Sequence, residues 1–289
     1  MEILLFGSEG NVGKGLNKFL KKHYKLICID FKKKRSAGSR NYINLDLSKK
    51  INISKFCKIK SDVGIILSFY KTMPRDFNNE NAIKFNSINY KILNNCLMIC
   101  KNCKVKKIIY FSSAALYSEN NKKIKIKENF KLNAKNKFAK FKLLAENQVL
   151  RFGKNNNINS INLRLFNYFD NNGNDLINNF SKQMKKKEIY INGDGNQSRD
   201  FLHVNDMSNF VDKLIKTKTK KQTLNLCSGK PTKIKKIINN LVRIKNKKIK
   251  IIYNKKKNVN FYLVGDNSKL KELTGCKIKN DFNDFLEKL

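Results

Sequence analysis

Proline is nearly absent from this chain of 289 residues, occurring only at Pro74 and Pro231, each at a break between expected elements. No stretch approaches the roughly 18 consecutive apolar residues of a membrane-crossing helix, so no segment is expected to span a membrane. No internal repeat is evident. Histidine occurs only twice, and neither copy lies near Cys96, Cys100 and Cys103. Cys100-x-x-Cys103 has metal-ligand spacing, but there is no matching second pair and no nearby histidine. No metal is expected there, and the three are read as thiols buried by a helix. The seven cysteines are scattered and odd in number, as in a reduced cytoplasm. The first strand begins at Glu2, which leaves no room for a signal peptide, and a cytoplasmic protein is expected.

Acidic residues are also scarce: Asp and Glu total 22 against 62 Lys and Arg, a formal charge of +40. That balance invites a nucleic-acid reading. The lysines, however, are spread along the whole chain among asparagine and isoleucine, with no basic arm and no basic-aromatic motif. An A/T-rich genome would encode this composition on any fold, and no specific nucleic-acid partner is expected. What remains is a general preference for anionic ligands. At 40% hydrophobic the chain can build one large core or two modest ones.

The organising stretch is Ile3-Leu4-Leu5-Phe6-Gly7-Ser8-Glu9-Gly10-Asn11-Val12-Gly13. An apolar run ends in glycine, two more glycines follow at three-residue steps, and a helical pattern begins at Leu16, Phe19 and Leu20. Gly7 permits the sharp turn, Gly10 lets backbone approach a phosphate, and Gly13 lets the helix pack on the strand. The helix start presents N–H groups and a positive dipole end to a pyrophosphate. A second apolar run, Lys25 to Ile29, ends in Asp30, a carboxylate placed to accept the ribose hydroxyls of an adenosine.

Further strands are expected around Tyr42-Ile43, over Val63 to Ser68, Lys107 to Ser113 and Ser160 to Phe166. Helical periods run through residues 80–100 and from Phe138 to Leu150, the latter with Phe138, Phe141, Leu144, Ala145 and Val149 on one face. Strands alternating with helices predict an α/β fold, a doubly wound parallel sheet of Rossmann type, with ligands at the carboxyl ends of the strands. After Phe166 the rhythm changes. A helix from Leu176 to Met184 runs into a glycine-rich turn at 193–197, and a smaller α+β domain is expected over 167–289, the chain crossing back to the first domain (1–166) over 203–227.

Several stretches together resemble one family, the extended short-chain dehydrogenase/reductases of the NAD-dependent nucleotide-sugar epimerase/dehydratase group. They are the glycine turn, Asp30, Asp46-Leu47, Asn86 before a helix, Ile109 to Tyr117, Phe138 to Glu146, Leu163 to Asn167, Gly193 to Asp206 and Asn225 to Gly229. The resemblance implies that Gly7, Gly10, Asn11, Val12 and Gly13 hold the pyrophosphate of NAD and that Asp30 takes its ribose. It adds Asp46, Leu47, Ser68 and Asn86 to the cofactor set and sets Lys142 against the nicotinamide ribose. A carboxylate at Asp30 favours NAD over NADP, although the cations from Lys32 to Arg35 lie close enough to accept a 2′-phosphate. Asn167, Arg199 and Lys257 would meet the nucleotide-sugar diphosphate; for Arg199 the alternative is an ion pair with Asp200 or Asp206.

The family's engine is a Ser or Thr, a Tyr and a Lys. Ser113 and Lys142 match, but the position four before Lys142 is Phe138, which has no proton to exchange. The family's dehydratases place acids after the Ser or Thr; here Ala114-Ala115 stand instead, which favours an epimerase or 4-keto reductase over water elimination. A catalytically silent NAD- and nucleotide-sugar-binding homologue is the alternative. The family also implies homodimers through residues 80–100 and 138–150. The dispersed charge has one measurable consequence: retention on heparin and on DNA of any sequence should be alike and should be lost together as salt is raised.

Overall fold

In the computed structural model of the chain the described residues are 1–33, 41–70, 79–118, 120, 122–134, 136–170, 175–218, 222–245, 249–254 and 262–287. Lys34, Arg35, Pro74, Lys257 and the loop 171–174 lie outside them. In chain order the elements are β1 (Glu2–Phe6), α1 (Asn11–Leu20), β2 (Lys25–Asp30), β3 (Asn41–Asn44), β4 (Val63–Ile66), α2 (Asn79–Asn102), β5 (Lys107–Ser113), α3 (Lys137–Asn155) and β6 (Asn159–Leu165). They continue with β7 (Asn167–Phe169), α4 (Asp175–Met184), β8 (Glu188–Asn192), β9 (Ser198–His203), α5 (Val204–Lys216), β10 (Gln222–Leu226) and β11 (Pro231–Lys233). The last are α6 (Ile234–Lys245), β12 (Lys250–Asn254), β13 (Tyr262–Leu263), α7 (Ser268–Thr274) and α8 (Phe282–Glu287).

Two compact units result: Met1–Leu116 with Ala134–Arg164 and Val211–Leu224, and Tyr117–Asn133 with Leu165–Phe210 and Asn225–Leu289. The first is built on a seven-stranded sheet in the order β10-β6-β5-β4-β1-β2-β3. β1 pairs in parallel with β2 and β4, β2 with β3, and β4 with β5. Both faces of β1 are covered: Leu4 and Phe6 join the core beneath α2 and α3, while Ile3 and Leu5 point the other way and are equally buried. That is why the strand reads as an unbroken apolar run rather than an alternation. The order reverses between β1 and β4, and the loops after those strands open the crevice where ligands of such sheets bind.

Buried charge is locked in place. Arg164 of β6 donates from Nε and Nη2 to the two carboxylate oxygens of Glu146 on α3, at 3.0 and 2.8 Å. Lys107 of β5 donates to the Leu214 and Ile215 carbonyls at 2.6 and 2.9 Å, and to Thr217, satisfying the carboxyl end of α5. In the second unit a sheet joins β11, β9 and β13, with β7 also on β9, while β12 pairs with β8. Its core stacks Phe201 on Phe282 at 4.0 Å between ring centroids. Asp200, fully buried, accepts from the Ser228 amide and hydroxyl and from the Gly229 and Gly265 amides, clasping three segments together. Burial raises its pKa to about 6 against those donors.

Four expectations need correction. Leu144 does not share the buried face of α3: it is 67% exposed, and the inward face is Ala139, Phe141, Lys142, Ala145, Glu146 and Val149. Asn86 lies inside α2, exposed, rather than before a helix, because α2 already begins at Asn79. β4 ends at Ile66, so Ser68 belongs to the loop beyond it. The strand β8 intervenes between α4 and the glycine-rich turn. Cys96, Cys100 and Cys103 are wholly buried against Phe56 and Val105. Among the described residues no cluster of His, Cys, Asp or Glu could hold a metal ion, and no helix is long and apolar enough to cross a membrane. The buried pair yields a test: Arg164→Met alone should cost about 3–5 kcal/mol in urea denaturation, because it strands a buried carboxylate. Glu146→Leu combined with Arg164→Met should recover most of that loss.

Candidate active site

The glycine turn stands at the carboxyl end of β1. Gly7 has φ +82°, a left-handed conformation that side chains resist, and its amide donates to the Ile29 carbonyl at 2.8 Å. A Cβ on Gly7 would lie 2.8 Å from the Ser68 amide nitrogen, so the loop after β4 presses directly on the turn. At Gly13 a Cβ would come within 2.1 Å of the Gly7 carbonyl oxygen and 2.9 Å of the Ser8 backbone. Gly13 therefore lets α1 pack on the turn itself. Gly10 is the N-cap of α1, makes no side-chain cap bond, and is followed by no acid in the first turn. A helix start left bare of carboxylates, with Asn11 and Val12 as its first residues, fits a pyrophosphate.

Asp30 ends β2 beside this loop. Its Oδ2 accepts from the Glu9 amide at 2.9 Å and its Oδ1 from the Lys32 amide at 3.2 Å, while the Lys32 ammonium donates to the Glu9 carbonyl at 2.9 Å. The turn and the acid are thus one hydrogen-bonded unit. Asp46 is exposed and closes a local turn by accepting from the Ser48 amide and hydroxyl. Leu47 is buried, and its carbonyl accepts from Asn95 of α2 at 2.9 Å. Sequence reasoning missed Asn89, three residues beyond Asn86: buried, it accepts from the Tyr70 amide at 2.8 Å and donates to the Tyr70 carbonyl, fixing the stretch after β4 that carries Ser68.

Around the third strand end the chemistry is unusual. Ser113, the last residue of β5, is half-buried, and its Oγ accepts from the Ala115 amide at 3.2 Å. Lys142 of α3 reaches the same strand and donates to the Phe111 carbonyl at 2.7 Å. Its ammonium faces the rings of Phe69 and Tyr110, each centroid 4.8 Å away, and Phe138, at 6.0 Å. Phe138 meets Phe69 edge-on at 5.2 Å. Burial pulls Lys142 down to about 7, with Glu146 acting in the opposite direction. Phe69 carries no motif that would have marked it, and Tyr110, although within the Ile109 to Tyr117 stretch, is brought to Lys142 by the fold. The hydroxyl of Tyr117, the phenol that ends the same stretch, donates to Asn225 Oδ1.

In the second unit Asn167 donates to the Asp200 carbonyl at 3.1 Å, and the Arg199 guanidinium donates to the Ser198 carbonyl at 2.9 Å. Burial lowers Arg199 to about 10. The two carboxylates considered as its partners are held by backbone amides, Asp200 as described and Asp206 by Lys279 and Asn280.

A doubly wound sheet with its glycine turn over the switch point and an acid on the next strand defines a dinucleotide-binding protein of Rossmann type. The chain belongs to the NAD dependent epimerase/dehydratase family, whose model matches residues 3–227, and its cofactor is NAD. A putative UDP-glucose 4-epimerase of Methanocaldococcus jannaschii is 24% identical over 307 residues, covering 99% of this chain and 96% of that protein. Among solved structures, UDP-N-acetylglucosamine 4-epimerase from Methanobrevibacter ruminantium, in complex with UDP-N-acetylmuramic acid, superposes with a TM-score of 0.84 at 21% identity, covering 99% of this chain and 96% of the other. A tyrosine-to-phenylalanine mutant of UDP-glucuronic acid 4-epimerase from Bacillus cereus, in complex with UDP-4-deoxy-4-fluoro-glucuronic acid and NAD, gives 0.84 at 23%, covering 99% and 97%. These likenesses show the shared fold.

Gly13→Ala tests the turn. Overpacking should cost about 1–3 kcal/mol in thermal denaturation, and the rise in melting temperature that saturating NAD gives the native chain should disappear.

Proposed function

We propose that this protein is a cytoplasmic NAD-dependent nucleotide-sugar epimerase or 4-keto reductase that moves a hydride at a sugar carbon, within the supply of sugars for surface polysaccharide. The observation that carries this reading is the bond from Lys142 to the Phe111 carbonyl, which sets the amine at the end of β5 two residues before Ser113. In this reading Ser113 orients the sugar oxygen and Lys142 lies against the nicotinamide ribose. Gly7, Gly10, Asn11, Val12, Gly13, Asp30, Asp46, Leu47, Ser68 and Asn86 hold the rest of NAD. Asn167, Arg199 and Lys257 receive the diphosphate of the sugar nucleotide, a guanidinium being suited to paired phosphate oxygens. The UDP-sugar epimerases among its relatives support a uridine nucleotide. Ala114 and Ala115 in place of acids support epimerisation or reduction over dehydration. A homodimer through α2 and α3 belongs to the same reading, and the exposed Tyr90 and Leu144 on those helices support it.

Phe138 favours a second reading, a silent homologue that binds NAD and a nucleotide sugar without turning the sugar over. The mutant of the Bacillus cereus enzyme supports it too, since phenylalanine in place of a tyrosine there is compatible with both ligands. The purified protein should carry or take up NAD. Tested on a panel of UDP-, GDP- and dTDP-sugars, it should give epimerised or oxidised product. No turnover by the native protein, with turnover gained in Phe138→Tyr, would establish the silent reading instead.

A further inference from the structure

Lys142 stands in surroundings that withhold water from its nitrogen. The side chain is 6% exposed, and its hydrogen-bond partner is a neutral carbonyl, that of Phe111. Rings of Phe69, Tyr110 and Phe138 surround the amine. The carboxylate one turn further along α3, Glu146, is engaged on both oxygens by Arg164. The ring faces and the carbonyl favour an ammonium and Glu146 attracts it, but loss of water opposes all three, and a lysine so desolvated sheds its proton more readily. The pull of burial to about 7 agrees with this geometry. The nearby phenol cannot take the part that Phe138 leaves vacant. The Tyr110 hydroxyl is buried without a partner, and burial pushes its pKa well above the ordinary value, so it keeps its proton.

We propose that in this chain the amine of Lys142 is itself the base, accepting the hydroxyl proton of the sugar as the carbinol hydrogen departs. The proposal rests on the hydride-transfer reading above. In the step the sugar C–H and O–H bonds break and a C=O bond forms. The proton joins the Nζ lone pair and makes an ammonium. The carbon is oxidised by two electrons, which leave with the hydride for the nicotinamide of NAD⁺, the oxidant of the family. In the return step the ammonium gives its proton back to the sugar oxygen. Folding thus does for the lysine what a neighbouring cation does for a phenol: it brings a basic group into the neutral range. The four-carbon stem lets the amine leave the Phe111 carbonyl for the sugar hydroxyl.

Lys142→Arg keeps a positive charge and a donor for the Phe111 carbonyl but cannot give up its proton. With the sugar that the native protein turns over, single-turnover reduction of added NAD⁺ should fall about tenfold per pH unit below about pH 7, the direction set by protonating a base. Lys142→Arg should lose about 10²–10⁴ in that rate at NAD⁺ concentrations that fluorescence titration shows to saturate the variant. A second measurement needs neither turnover nor the variant: ¹⁵N side-chain NMR of the native chain without ligands, with Lys142 identified through its contacts to the rings of Phe69 and Tyr110, should show an amine titrating near 7. Turnover that survives Lys142→Arg, a rate indifferent to pH, or a Lys142 midpoint near the ordinary value of about 10.4 overturns the assignment of the base and leaves the epimerase or reductase reading standing. Native protein that turns over no sugar of the panel overturns both.

Discussion

The first unit is arranged around one close approach of backbone to backbone. Where α1 meets the turn that precedes it, a single added carbon at Gly13 would stand 2.1 Å from the Gly7 carbonyl. That separation seats the amino end of α1 against the turn at the end of β1. The same turn is held from three directions: by the Ile29 carbonyl through the Gly7 amide, by Asp30 through the Glu9 amide, and by the loop after β4 that crowds Gly7. The ends of β1, β2 and β4 therefore converge on one point. The reversal of strand order makes the crevice, and the turn decides what charge it welcomes.

Buried ionisable groups fall into two kinds. Glu146 with Arg164, and Asp200 with its four donors, are saturated: each charge has partners matched to its geometry, and each ties together segments distant in sequence. Such sites fix one arrangement of the chain more than they add net stability. Lys142 is of the other kind, a buried amine given aromatic faces and one carbonyl. Groups left in that condition concentrate where chemistry is done.

The sheet was readable because parallel strands covered on both faces leave unbroken apolar runs: β5 occupies Lys107–Ser113, the limits its run implied, and the turn at Gly7 adopts the backbone its glycine announced. Less was readable where structure depends on distant neighbours. Leu144 counted as a core residue by spacing, yet the partners of α3 cover only the face through Ala145 and Val149. β7, β11 and β13 are two or three residues long and exist because β9 pairs with them, which no local pattern reveals. Lys107 looks like a strand-edge lysine and instead closes the end of a helix more than a hundred residues away. For the site, the glycines and Asp30 were legible as a turn and an acid, and the structure joins them in one hydrogen-bonded unit. Of the rings around Lys142, Phe138 one helical turn before it was visible to spacing, whereas Phe69 and Tyr110 come from separate elements that spacing does not join.

The cysteines carry a consequence of a different sort. Burial pushes the thiols of Cys96, Cys100 and Cys103 upward, Cys103 to about 11, whereas Cys57 lies open at the surface. A thiol reacts through its thiolate, so the native chain presents reagents with Cys57 first and keeps Cys96, Cys100 and Cys103 silent. An alkylating dye would then enter at Cys57, and more slowly at the half-buried Cys276, while the fold is intact, and Cys96, Cys100 and Cys103 would take it up only as that part of the core opens. The molecule contains its own stopwatch for the opening of its core.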